Sequence, residues 1–138
     1  MPNDDFGELA RYYDPLMEHV NYDRWFRTCV ALTELLPGRF QHVDVGCGTG
    51  VLLAMLRAVG WSSVGVDLSP AMIQAARKRR GRLPVGVADV RALPFFGSAG
   101  LLTCLFDSIN FLLEEEAVRR ALLEMARSLA PGGVLYFD

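Results

Sequence analysis

A chain of 138 residues, 51% of them hydrophobic, can bury one real core and is too short for two ordinary domains. Its net charge of −2 supplies no overall field to hold a polyanion, so nucleic acid is not an expected partner. Cys29, Cys47 and Cys104 form no Cys-x-x-Cys and meet no partnering histidine pattern, which argues against a disulfide framework or a metal site.

The first residues lack a basic start followed by an apolar run, and no stretch is long enough to span a bilayer, so a cytoplasmic protein without a membrane partner is expected. Asn21 caps a predicted helix in which Tyr22, Trp25, Phe26, Cys29, Leu32 and Leu36 recur at helical spacing, and Pro37-Gly38 stops it. Residues 1–38 read as a helical flank or lid, and 39–138 as an α/β core. A strand near 42–46, a helix near 50–59 closed by Gly60 and a strand near 63–67 come next. Ser69-Pro70 gives the following helix an N-cap and a first-turn proline. Arg77, Lys78, Arg79, Arg80 and Arg82 mark its far end, where cations suit the helix macrodipole, and the cluster reads as a solvated helix terminus. A strand near 84–88, an irregular stretch through Pro94 and Gly97, and a strand near 101–106 lead to a helix near 114–129. That helix turns Val118, Ala121, Leu122, Met125 and Leu129 inward and pairs Glu115 with Arg119 and Glu116 with Arg120 outside. A strand near 133–137 closes the sequence, and no internal repeat interrupts it.

Alternation of this kind builds a parallel sheet covered by helices on both faces. The run Val43-Asp44-Val45-Gly46-Cys47-Gly48-Thr49-Gly50 defines its business end, because an apolar strand ending in alternating glycines brings bare backbone against a ligand. Spacing narrows the ligand. In the dinucleotide fingerprint the third glycine would fall at Val51, yet it comes one residue early at Gly50, and the chain shows no Tyr-x-x-x-Lys pair. A phosphate-binding P-loop needs Gly-Lys-Ser/Thr, and the chain's one lysine is Lys78.

The pattern Asp44-x-Gly46-x-Gly48-x-Gly50, with Asp67 ending the next strand, resembles the cofactor site of class I S-adenosylmethionine-dependent methyltransferases. Gly65 to Met72 is similar to that family's second motif, Val87 to Phe95 to its third, Leu102 to Leu112 to its fourth, and Leu129 to Asp138 to the turn and strand beyond. The leader Tyr12-Tyr13-Asp14-Pro15-Leu16-Met17, with His19 to Tyr22 and Trp25, resembles that of a small-molecule-type subgroup. The resemblance implies a doubly wound, Rossmann-like sheet of order 3-2-1-4-5, with S-adenosyl-L-methionine at the carboxyl ends of strands one and four. It also implies a further helix and two antiparallel strands that this sequence lacks, so a fragment is expected, with strand 133–137 as an apolar edge for self-association.

Site roles follow from the same likeness. Asp67 accepts from ribose hydroxyls. Asp89, with the Val90 backbone and neighbouring Ala88, faces adenine, while Leu68 and Met72 pack on the ring. Asp44 lies by the cofactor's ammonium end, and the amides of Gly46, Cys47, Gly48 and Gly50 by its carboxylate. Phe106 and Asp107 close the far side, and Tyr13 contributes from the lid. Cys47 reads as a small filler. Asp107, Asn110 and His19 are the candidate catalytic groups, with Ser108 beside them. Ala99-Gly100 stands where relatives carry Phe-Asp, which predicts a weakly anchored fourth strand. The expected activity is methyl transfer to a small molecule; the alternatives are a cofactor-binding but catalytically incomplete domain and an NAD(P)-dependent oxidoreductase.

Overall fold

The computed structural model describes residues 7–106 and 108–138. Five strands form one sheet in the order β3-β2-β1-β4-β5: β1 His42–Val45, β2 Ser63–Asp67, β3 Val85–Val87, β4 Ala99–Cys104 and β5 Leu129–Phe137. All four pairings are parallel, with His42 opposite both Ser63 and Leu101, and Asp44 opposite Gly65 and Thr103. The order reverses between β1 and β4, which opens a crevice at their carboxyl ends.

Two core layers follow from the twofold alternation of side chains. On one face Val43, Val45, Leu102 and Cys104 pack with Met125 of α5, Glu115–Ser128. On the other face Leu52 and Leu56 of α3, Val51–Ala58, meet Cys29 of α2, Tyr22–Leu32, while Leu53 packs on Ile73 and Ala76 of α4, Pro70–Arg80. His42 and Asp44 point to this second face, toward α3 rather than α5.

Local chemistry sets the helix ends. Asn21 Oδ1 accepts from the Arg24 amide at 3.2 Å, and Ser69 Oγ accepts from Met72 N at 3.2 Å ahead of Pro70. Both caps match the sequence reading. The predicted first helix is shorter, since after Leu32 it tightens into a 3₁₀ turn at Thr33–Leu35. On α5 the outer pairing also differs: Arg119 grips Glu116 three residues back at 2.7 Å, and Arg120 Nε instead donates to the Arg91 carbonyl. The guanidinium of Arg119 thus finds its carboxylate one residue nearer along the chain than the i,i+4 reading supposed.

β4 and β5 start earlier than predicted. Ala99 is fully buried, and a Cβ on Gly100 would lie 2.5 Å from Phe40 Cβ, so this small pair lets the chain pass under Phe40 and begin β4 two residues sooner. Its amides extend the anchoring, with Gly100 N donating to Gln41 O at 2.9 Å. The expected weakness of this strand is therefore not present. Leu129 pairs with Ala99 directly at the end of α5, and the register then jumps so that Val134 meets Leu101, with residues 130–133 looped out between. The irregular stretch 88–98 is held by buried Glu124, which accepts from Leu93 N at 2.9 Å.

Candidate active site

The turn after β1 is built on glycines in left-handed backbone, with φ of 71° at Gly46 and 55° at Gly48. What surrounds them separates their roles. A Cβ on Gly48 would touch the Tyr13 ring at 3.6 Å, so this glycine faces the lid, whereas one on Gly46 would strike Ser108 Oγ at 2.5 Å, so that glycine lets Ser108 pack against the loop. A Cβ on Gly50 would instead meet Leu83 Cδ1 at 2.8 Å and Ala76, so that glycine answers to packing against α4 and the segment beyond it. The loop amides also depart from expectation. Gly46 N and Cys47 N donate to Val66 O, Gly50 N donates to Cys47 O, and Gly48 N donates to Asp67 Oδ2 at 2.9 Å. Glycine here secures close approach, not a set of waiting donors.

Asp67 at the end of β2 also accepts from Ser69 N through Oδ1 at 2.9 Å, so two backbone amides fix its carboxylate at the rim. Asp44 is 5% exposed and accepts from Thr103 Oγ1 at 2.7 Å. Burial drives its carboxyl up to about 7, Thr103 opposes that, and the charge of Asp67 adds to it. Burial likewise pushes the Cys47 thiol far up, with Asp44 and Asp67 adding to the effect, so it stays protonated as a filler against Gly65.

A narrow cleft of about 10 Å³, room for about one water, lies over this loop, lined by Tyr13, Tyr22, Asp44, Gly46, Cys47, Thr49, Val51, Leu52 and Phe106. Among the described residues its lining holds a carboxylate and no cationic side chain. Phe106 stands at φ 61°, a conformation that costs a non-glycine residue roughly 1–2 kcal/mol, and its ring is clasped by Tyr22 at 5.0 Å and Trp25 at 5.4 Å.

The leader closes over the loop through contacts that no local pattern announced. Tyr13 opens the short α1, Tyr13–Leu16, and burial raises its phenol's pKa, with Asp67 and Asp14 contributing. Asp14 accepts from the Thr49 hydroxyl and from Arg80 Nη2 at 2.8 Å, with Arg79 Nη1 at 3.3 Å. Arg79 Nη2 also donates to the Ala10 and Arg11 carbonyls, and Arg80 Nη1 to the Thr49 carbonyl. Arg79 and Arg80 thus latch the basic end of α4 to the leader, whereas Arg77, Lys78 and Arg82 are exposed, as the solvated-terminus reading had them.

The remaining predicted residues sit unevenly. Leu68 is half-exposed at the rim, Ala88 and Val90 are half-buried beyond β3, but Met72 is 2% exposed and belongs to the interior, with no open surface for a ligand. Asp89 is occupied: Arg91 donates to it from its amide at 2.8 Å and from its guanidinium at 2.6 Å, and the guanidinium holds the carboxyl below its usual range. Ser108 donates to the Leu105 carbonyl at 2.8 Å beside Gly46; Asn110 and His19 are exposed, one in the 3₁₀ turn Ser108–Phe111, the other before α2. Asp107 lies outside the described residues.

The crevice at the sheet's switch point, floored by glycines and flanked by the carboxylates of Asp44 and Asp67, stands where Rossmann-like frames take their ligands. Residues 43–133 match the methyltransferase domain family, and the chain belongs to that family. Among curated relatives it is 31% identical over 149 residues to a dTDP-4-amino-2,3,4,6-tetradeoxy-D-glucose N,N-dimethyltransferase of Saccharopolyspora spinosa, covering 99% of this chain and 59% of that protein. It is 38% identical over 141 residues to a demethylmenaquinone methyltransferase of Thermus thermophilus, covering 94% and 61%. Among solved structures, the amino pentose methyltransferase CalS10 of Micromonospora echinaspora, bound to SAM, superposes with a TM-score of 0.79 at 31% identity, covering 88% of this chain and 52% of that one. The chain spans little more than half the length of these relatives.

Proposed function

We propose that this chain, as one domain with residues 1–38 as lid and 39–138 as core, binds S-adenosyl-L-methionine for methyl transfer to a small molecule. The observation that carries this reading is the charge of the crevice: Asp44 lines it, Asp67 stands at its rim, and among the described residues its lining has no cation. Such a site favours a ligand bearing a sulfonium and an ammonium and disfavours the pyrophosphate of a dinucleotide. Asp67 has acceptor capacity for ribose hydroxyls, and Leu68, Ala88 and Val90 offer an apolar wall to adenine. Asp89 serves the adenine amino group once Arg91 turns aside. When bound, the cofactor supplies an activated methyl group on sulfur. The protein's part is to orient the two reactants and exclude water, which the Tyr13 lid and the Phe106 cluster support. Ser108 and Asn110 stand on the acceptor side, His19 on the leader. The acceptor class rests on the relatives, whose names specify amino sugars and a quinone precursor.

Calorimetry tests the cofactor directly: S-adenosylmethionine should bind and NAD should not, and the reverse result would make the domain an oxidoreductase. Binding without methyl transfer to an amino-sugar nucleotide, in this chain and in a longer one alike, would leave a cofactor-binding module. The outer edge of β5 is a second element of the proposal. Val134, Leu135 and Tyr136 lie on a strand whose described pairing is to β4 alone, so the 138-residue chain should self-associate there. Sedimentation as a monomer at high concentration would refute that. Among the described residues no helix is long and apolar enough to cross a membrane, and three free thiols suit a reducing cytoplasm.

A further inference from the structure

Beneath the crevice, four buried polar side chains cross three strands in a row. Ser63 of β2 is 2.9 Å from His42 Nδ1, His42 Nε2 is 2.9 Å from Thr103 Oγ1 on β4, and Thr103 Oγ1 donates to Asp44 Oδ1 at 2.7 Å. Ser63, His42 and Thr103 are 1% exposed or less. With Asp44 ionised, the direction of this row is fixed. A hydroxyl has one proton, so Thr103, having given its own to the carboxylate, must accept from His42 Nε2–H. Burial lowers the imidazole's pKa to about 4, so the ring is neutral, Nδ1 bears no proton, and Ser63 donates to it.

We propose that His42 and Thr103 are positioning residues, a one-way hydrogen-bond relay that holds the Asp44 carboxylate as an oriented, ionised acceptor for the ammonium group of the cofactor. The proposal rests on the cofactor reading above and adds the groups that make Asp44 serviceable. A carboxylate this deeply buried would otherwise take up a proton. The groups around it offer little help: Asp67 from β2 repels it, and Tyr13 of α1, Tyr22 and Cys29 of α2, Cys47 of the loop and Cys104 of β4 are all neutral at physiological pH. Among the described residues Thr103 is the one hydrogen-bond partner that counteracts burial at Asp44, and His42 orients its hydroxyl. β1 spends its own backbone groups in the ladders to β2 and β4, and the amides of Gly46, Cys47, Gly48 and Gly50 are given to other acceptors.

Two ligands separate the relay from the pocket. S-adenosylmethionine carries the ammonium; 5′-methylthioadenosine shares the adenosyl group and lacks it. Binding of both by Thr103→Val and Thr103→Ser is compared with wild type from pH 6 to 7.5, below the range where the ligand's own α-amino group loses its proton at about 7.7–8. In wild type, S-adenosylmethionine affinity should rise with pH as Asp44 ionises. In Thr103→Val that rise should move up by about one pH unit, giving about fivefold weaker binding at pH 7, the effect of one hydrogen bond to a charged oxygen. The thioether should bind all three proteins alike, and Thr103→Ser, which keeps the hydroxyl, should match wild type. An unmoved pH profile in Thr103→Val, or equal loss of both ligands, would overturn the relay. Carbon-detected titration of the Asp44 carboxyl and the nitrogen shifts of His42 in wild type read the relay without any ligand or variant. A neutral Nε2–H ring supports it, and an Nδ1–H ring or an imidazolium at pH 7 refutes it. Should wild type bind neither compound, the cofactor reading falls and with it the ammonium, whereas these spectra still decide the relay.

Discussion

Removing the Asp14 carboxylate should unlatch the leader from the glycine loop. Asp14 receives the Thr49 hydroxyl, Arg80 at 2.8 Å and Arg79 at 3.3 Å, with side chains of the three ionic partners only 20–29% exposed. A hydrogen bond to a charged group contributes roughly 1.5–3 kcal/mol, and a half-exposed ion pair less than about 1 kcal/mol. Arg79 keeps its bonds to the Ala10 and Arg11 carbonyls, so part of the attachment survives. A net loss of about 2 kcal/mol for Asp14→Ala is therefore expected, equivalent to about a thirtyfold shift toward the open leader. Hydrogen exchange reads this at the amides of Leu16, Met17 and Val20, which are bonded to carbonyls within the leader. They should lose protection by that factor while β1 and β4 keep theirs. Asp14→Asn retains an acceptor for Thr49 and should fall between. Burial pushes the Asp14 carboxyl upward, but the bonds from Thr49 and Arg80 and the two guanidinium charges outweigh it and hold it below 3.8. A carboxyl lowered on folding stabilises above its unfolded value and ceases to as pH falls through its folded one, so the latch should be indifferent to pH between 5 and 8 and fail only below 3.8. Unchanged exchange in Asp14→Ala would show that the Arg79 bonds to the Ala10 and Arg11 carbonyls and the Tyr13 packing hold the leader without the carboxylate.

Asp67→Ala should weaken S-adenosylmethionine binding by about 1.5–3 kcal/mol, since it removes a charged acceptor and frees the Gly48 and Ser69 amides; unaltered affinity by calorimetry would rule out the ribose role. Gly48→Val should abolish binding with the circular dichroism of the fold retained, because its branches would enter the space under Tyr13 from a backbone at φ 55°; normal affinity would mean the ligand approaches elsewhere. Gly100→Val should lower unfolding free energy by about 1–3 kcal/mol in urea, as its Cβ would sit 2.5 Å from Phe40 Cβ, and a neutral result would show that the start of β4 is pliable.

The features legible in the sequence are those written locally. A glycine that must adopt positive φ is a property of one residue, so the turn at Gly46 and Gly48 could be placed from spacing, and the caps at Asn21 and Ser69 needed only three neighbouring residues. The early starts of β4 and β5 could not be seen this way, because Ala99 and Gly100 acquire meaning from Phe40, and Leu129 from Ala99. The site divides along the same line. Its floor is local, whereas its electrostatics are assembled across the sheet: the Asp14 to Arg80 bond joins residues 66 apart, and the His42 to Thr103 contact joins residues 61 apart. Read singly, a histidine, a serine and a threonine in three apolar strands are each a polar interruption that costs burial energy. Register converts them into mutual partners, since His42 lies opposite Ser63 and two residues from Asp44, itself opposite Thr103. The same substitution pattern in any other register would bury four unsatisfied groups, so these strands specify their alignment through the very residues that condition the carboxylate at their end.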